Sequence, residues 1–429
     1  MITRRELVRA LGRRKVSDWI VAEHAQELAL ADEARGLERR EARTRTTLIV
    51  HQDVPQGRGT ARLELTAQEG SAADVVDQAV ALALTAVAPS WKSVAPAAPA
   101  KVAMLDPALE SADLAEAAAA ILGRLRRPAG AAVTASIEVL REQVAVQSSA
   151  GLAARWTASH LHAEALITTG ERSLQLARDA RRAADLGLDA ALAAAAVDLA
   201  FLGAAGPPAP GPCALVLAAD AMLHGEGLGV WAPFAAQADA ALARRGLTRY
   251  QPGAPIAPGA DRVGEPLGIA SNGALDFATR SAPVGDEGDA IRQFTLVERG
   301  VCTGLGLSPH EAARRGRDPN GGVRNLVIAP GTWDEAAPEQ PASSASRTIR
   351  TIEVRRLQSL AIDPYTGEAS LELLLAIEHA GGAKRPLTGG TVSLDLVAAL
   401  ARARRSATRI RRGPYVGPAA VRIEDAELI

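Results

Sequence analysis

Histidine and carboxylate side chains are the groups here whose types and spacing invite chemistry, and each set stops short of a complete site. His224 and Glu226 stand in the run 213–239, which reads as a short apolar strand, a turn and a helix-like stretch opening at His224. Divalent zinc needs three or four lone-pair donors in tetrahedral array, and one histidine does not supply them. His160 and His162 lie in an alternating segment. If that segment is a strand, both rings project from one face, with Glu164 beside them, as the start of a metal site. No Cys, Asp or further His nearby in sequence completes the set. The plainer reading is a pair of half-exposed strand residues or an interface feature.

Asp286 and Glu287 are adjacent carboxylates in a Gly-rich loop, and paired carboxylates can do acid–base work. Neighbours in an extended segment point opposite ways, so loop hydrogen bonding or contact with a partner or substrate is the simpler role. His310 and Glu311 begin like a zinc helix, but Arg314 and Arg315 stand where a second histidine would be needed. A guanidinium has no lone pair to donate, and an exposed helix turn after Pro309 is expected. Gly225, Gly227 and Gly229 do not make a phosphate loop: Val230 occupies the position a dinucleotide fingerprint reserves for glycine, and no Gly-Lys-Ser/Thr follows. No G-x-S-x-G elbow exists. The cluster Arg402, Arg404, Arg405, Arg409, Arg411 and Arg412 could neutralise phosphates. Tyr415 is its one aromatic neighbour, which favours a solvated helix end or an acidic partner surface.

Composition narrows the classes further. The chain has 429 residues, 48 basic and 49 acidic, for a net charge of −1. That balance creates no global field to attract nucleic acid or acidic lipid. Aromatic residues are 3% of the chain, which argues against base-stacking platforms. Cys213 and Cys302 form no CxxC and no disulfide framework, as expected in a reducing cytoplasm. The N-terminal segment is charged and has no apolar h-region. No stretch approaches the roughly 20 uninterrupted apolar residues of a membrane span.

The elements that must position these groups follow from periodicity. Residues 45–52 and 60–66 flank the polar turn 55–59 and read as a hairpin. Ser71 and Asp74 form a capping box before Val75, Val76, Ala79, Val80 and Ala83 at helical spacing. A Pro/Ala-rich connector covers 88–100, and a helix is expected over 111–127 with Ser111 as its cap. Residues 131–147 and 154–168 alternate as strands joined near 149–151. Residues 172–203 read as a long alanine-rich helical region broken near Gly187. The Pro-rich segment 206–212 bars regular hydrogen bonding. It divides the chain into an N-terminal α/β domain, 1–205, and a strand-rich C-terminal domain, 213–429. A turn at 363–368 joins strands 348–362 and 369–379, and a helix is expected at 393–405.

Several segments in order resemble the TldD/TldE (PmbA) peptidase family. Asp286-Glu287-Gly288 precedes a strand, 294–300, that ends in a glycine turn. The stretch 322–331 ends in Pro-Gly. Residues 362–367 are similar to an NPxTG turn, and 386–391 to a PVxGxT element. The likeness is strongest over 286–395 and continues more weakly to residue 1. It implies a two-domain α/β (α+β) fold and a pair of related subunits. The family's zinc subunit carries His-Glu-x-x-x-His plus a cysteine near the C-terminus. Here Gly225 follows His224, Gly229 stands at the second histidine, and the end of the chain from 405 on holds no cysteine. The resemblance therefore implies a metal-free TldE-type subunit with no metal and no catalytic residue of its own. Zinc is expected on a TldD-type partner that hydrolyses peptides or small amides, natural-product intermediates included. His224 and Glu226 become a remnant facing a shared chamber. Two alternatives are a binding or scaffold homodimer that kept the fold, and a metalloenzyme with a rearranged site built from His160, His162 and His224.

Overall fold

The computed structural model describes residues 2–65, 70–92, 96–225, 227–262, 265–335 and 350–429. Glu226, Thr66 at the end of the expected hairpin, 93–95 of the connector and 348–349 of the expected strand lie outside them.

The N-terminal half begins with helix α1 (Arg4–Leu11), closed by a Thr3–Glu6 capping box. Strands β1 (Asp18–Asp32), β2 (Leu37–Val54) and β3 (Gly57–Leu65) follow, then helix α2 (Ala72–Thr85) and a short β4 (Val87–Ala88). The Ser71 hydroxyl and the Asp74 carboxylate cap each other's backbone as expected. Helix α3 (Leu114–Gly123) precedes three more strands, β5 (Ala132–Ser148), β6 (Ala153–Thr169) and β7 (Arg172–Ala180), and helix α4 (Leu188–Gly203) ends this half. The strands form one antiparallel sheet in the order β4-β3-β2-β1-β5-β6-β7.

Alternation decides what covers this sheet. Val133, Ala135, Ile137 and Val139 of β5 turn inward onto Leu114, Ala118 and Leu122 of α3 and Leu188, Leu192 and Leu199 of α4. Val75, Val76 and Ala79 of α2 pack on Leu48 and Val50. Three local expectations change. The run 172–203 is not one helical region: Leu174, Leu176 and Ala180 alternate into the core as β7, and α4 starts only after Gly187 at φ +60. Pairing along β6 outweighs the modest helix preference of the intervening residues. Helix α3 starts at Leu114 rather than 111, because the Asp113 carboxylate, not Ser111, accepts from the Ala115 and Glu116 amides. The run 183–203 is long and apolar enough to cross a membrane by length and composition, the only such helical run among the described residues. Its Leu188, Leu192 and Leu199 are buried in the core, and Asp198 carries two ion pairs, which makes it a core helix.

The C-terminal half contributes β8 (Gly211–Ala218), α5 (Ala219–Met222), α6 (Ala232–Gln237) and α7 (Ala240–Arg244). Next come β9 (Ile269–Asn272), β10 (Gln293–Glu298), β11 (Val301–Cys302), α8 (Pro309–Arg314) and β12 (Asn325–Ile328). The remaining elements are β13 (Thr351–Ile362), β14 (Glu368–Ala380), β15 (Ala383–Leu387), β16 (Thr391–Asp395), α9 (Leu396–Arg402), β17 (Arg404–Arg405), β18 (Arg409–Arg412), β19 (Tyr415–Pro418) and β20 (Ala420–Leu428). The expected helix at 393–405 shrinks to α9, because Asp395 caps it and β16 and β17 take the flanking residues. One sheet runs β11-β10-β9-β12-β19-β18. In the other, β13-β8-β20-β16-β14 closes into a ring through β13–β14 pairing, with β15 beside β14. Leu215, Leu217, Ile352, Leu371, Leu373 and Val421 belong to the large core of this half. The two halves meet where Val284 enters the cluster of Ile20, Ile49, Val144 and Val146 on the outer face of the first sheet.

Candidate functional site

His224 does not open a helix. α5 ends at Met222, Leu223 is its C-cap, and the next helical turn begins at Gly229. Gly225, Gly227 and Gly229 have φ of +75, +91 and +51, and a right-handed helix cannot continue through such residues. The His224 ring is half-buried, and burial alone lowers its pKa. A Cβ at Gly229 would lie 2.1 Å from the Met222 carbonyl oxygen and 2.6 Å from Leu223 Cα. No side chain fits there, histidine least of all.

The charges beside this turn are also wrong for a dication. Asp220 on α5 accepts Arg178 of β7 at 2.7 Å and pairs at 2.7 Å with both Arg356 of β13 and Arg412 of β18. Burial opposes its ionisation, but the three guanidiniums outweigh burial and hold its pKa low. Trp231 stacks on Tyr415 with ring centroids 6.2 Å apart, and the Tyr415 hydroxyl donates to the Pro418 carbonyl at 2.9 Å. The late segment thus brings cations and an aromatic ring to this place. Burial pushes the Cys213 and Cys302 thiols up to about 11, so neither is a thiolate. Zinc does not fit these residues. Among the described residues no group of three or more His, Cys, Asp or Glu side chains is arranged to hold a metal ion.

His160 and His162 do find an aspartate, contrary to what their sequence neighbourhood suggests. The β6–β7 register sets His162 opposite Asp179. His162 Nδ1 lies 2.9 Å from Asp179 Oδ1 and its Nε2 3.3 Å from Glu164, while His160 Nε2 is 3.5 Å from Asp179. The hydrogen bond to Asp179, opposed by burial and aided by Glu164, raises His162 to about 9. At neutral pH it is an imidazolium without a lone pair for a metal.

Asp286 and Glu287 face different neighbours. Asp286 is exposed and accepts Arg324 at 2.7 Å. Glu287 turns inward beneath the first sheet, with Oε2 3.8 Å from His51 Nε2. Burial, then the Asp289 and Asp286 charges, raise the Glu287 carboxyl to about 7. His51, held by Thr60 at 2.9 Å, is lowered to about 4 by burial and by Arg58, so it stays neutral. Trp91 meets the His51 ring edge-on at 5.0 Å, with Arg58 above it at 4.9 Å. His310 is not exposed as expected: its ring tilts over Trp91 at 5.7 Å, and Glu311 beside it is buried. Ser308 caps α8 so that this first turn faces inward. Sequence reasoning missed His51, Trp91, Asp220 and Asp289 as members of a site. Only Asp289 left a trace, two positions beyond Glu287.

This arrangement sets a pH dependence. The folded pKa of Glu287 lies above its ordinary value, so its stabilising contribution is complete below pH 4.5 and is lost as pH rises through 7. A shift of that size corresponds to about 3 kcal/mol. Urea unfolding of Glu287→Gln against the parent at pH 5, 6, 7 and 8 is expected to show the variant gaining relative stability as pH rises, by roughly that amount. A pH-independent difference would contradict the assignment.

Residues 235–429 match the family model described as PmbA/TldA metallopeptidase C-terminal domain. The whole fold has solved counterparts. One is TldE from Thermococcus kodakarensis, with a TM-score of 0.73, 15% identity and 99% of both chains covered. Residues 235–429 thus carry the C-terminal domain of the PmbA/TldD metallopeptidase family. Two further structures, named as candidate modulators of DNA gyrase, superpose as well. The one from Bacteroides thetaiotaomicron has a TM-score of 0.74 at 14% identity, covering 100% of this chain and 99% of that one. The one from Thermotoga maritima has a TM-score of 0.75 at 15% identity, covering 99% and 98%. No curated protein matches the chain in sequence. At these identities the likeness is one of fold, and the TldD/PmbA architecture spans both halves.

Proposed function

We propose that this chain is a metal-free, TldE-type subunit. It would complete the chamber of a zinc-bearing, TldD-type relative that hydrolyses peptides or small amides, natural-product intermediates among them. The observation that carries this reading is Gly229, where a left-handed φ and the Met222 carbonyl leave no room for a ligating side chain. The guanidiniums around Asp220 add to it, since they repel a dication. Bond breaking would come from zinc on the relative, which polarises a carbonyl and lowers the pKa of bound water. Two free, buried cysteines suit a reducing cytoplasm.

Co-expression with a relative that carries HExxxH and a late cysteine tests the reading. Size-exclusion chromatography is expected to show one complex, and amide hydrolysis to appear with both chains and vanish with a chelator. Chelator-sensitive hydrolysis by this chain alone would overturn it. A homodimer that ignores every zinc-bearing relative would leave the scaffold reading in its place.

A further inference from the structure

A second feature lies away from the His224 turn. A groove runs between the outer face of the first sheet and the C-terminal half. Ile49, Thr60 and Arg62 line one wall; Glu287, Asp289 and Glu311 line the other. Asp289 is 4% exposed and Glu311 2%. Asp289 Oδ2 and Glu311 Oε2 have no hydrogen-bond partner among the described residues. A carboxylate oxygen that is withdrawn from water and left without a donor is costly.

The cations nearby already have carboxylate partners, one of them Glu311 itself. Arg324 binds Asp286 at 2.7 Å, Arg244 binds the other Glu311 oxygen at 3.0 Å, and Arg62 lies 3.5 Å from Glu64. Acids outnumber cations along the groove, and burial raises the pKa of Asp289 and of Glu287 although Arg324 and Arg62 oppose it. An anion is repelled here. A metal ion lacks an arranged donor set. A neutral amide can donate but leaves the charge uncompensated. An ammonium carries a full positive charge and three N–H donors that need no fixed coordination geometry.

We propose that this groove binds an organic ammonium group, with the Asp289 and Glu311 carboxylates as acceptors and Glu287 as the neighbouring acid. The ammonium is a free amino terminus or a lysine-type side chain. The site belongs to this chain alone and does not require the zinc-bearing relative.

Calorimetric titration of the full-length chain at neutral pH tests it with three probes. Acetyl-lysine amide carries only the side-chain ammonium, alanine amide only the α-ammonium, and acetyl-alanine amide neither. Saturable binding of at least one of the first two and none of the third is expected, and the one that binds identifies the source. Asp289→Asn and, separately, Glu311→Gln are expected to weaken that binding by about tenfold or more. Thermal unfolding of each variant shows that it is folded, and the two substitutions act on different elements, a loop for Asp289 and α8 for Glu311. If neither ammonium probe binds the parent chain, water fills the groove and the proposal fails. Equal affinity in parent and folded variants overturns it as well.

Discussion

Replacing Asp198 by alanine lowers the unfolding free energy by about 3 kcal/mol, the low end of what removing one partner of a buried ion pair costs. Asp198 is 1% exposed on α4. Its Oδ1 accepts Arg355 Nε at 2.6 Å and its Oδ2 accepts Arg356 Nε at 2.8 Å, both from β13. The substitution leaves two guanidiniums without that counter-charge in a poorly hydrated place. Each keeps one other carboxylate, Glu353 for Arg355 at 3.2 Å and Asp220 for Arg356 at 2.7 Å. That residual pairing places the loss at the low end. The pair joins the helix that ends the N-terminal half to the closed sheet of the C-terminal half, so the loss reaches both. Urea unfolding of Asp198→Ala measures it. Asp77→Ala, which removes the exposed partner of Arg14, serves as the comparison and leaves the midpoint nearly unchanged. Equal behaviour of the two variants would contradict the account.

Restoring the family's histidine at 229 is expected to damage the fold without creating a zinc site. Gly229 combines φ +51 with a Cβ position 2.1 Å from a backbone carbonyl. Steric overlap and left-handed strain together cost about 3 kcal/mol or more. Even Gly229→Ala should therefore lower the thermal midpoint by several degrees, on the order expected for a large domain. The double variant Gly225→Glu with Gly229→His should yield little folded protein and hold less than one zinc per chain by elemental analysis. A stable double variant binding one equivalent of zinc would remove the main support for a metal-free subunit.

These two sites show why parts of the molecule were legible from residues alone and others were not. The hairpin of β2 and β3, the β5–β6 pair, the Ser71 cap and the turn at 363–368 depend on residues close in the chain, and all appear as read. The break in the zinc pattern at Gly225 and Gly229 is a fact of the sequence alone, since a glycine has no donor in any fold. The alanine-rich run after Arg172 misled because its first nine residues serve two periodicities, and only the edge of β6 selected the strand. His310 was read as exposed because nothing near it in the chain announces Trp91.

By itself, the order of residues determined that this chain mixes strands and helices, that its family turns fall in sequence, and that glycines stand at 225 and 229 where the zinc pattern has Glu and His. Those properties rest on short-range hydrogen bonding, alternation and side-chain chemistry. Tertiary structure alone decided that three arginines from β7, β13 and β18 surround Asp220, that Asp179 charges His162, and that Asp289 and Glu311 line one groove, each with one carboxylate oxygen unpaired among the described residues. The physical reason is that charge and burial are properties of neighbours in space. These neighbours come from distant strands whose pairing no local pattern encodes.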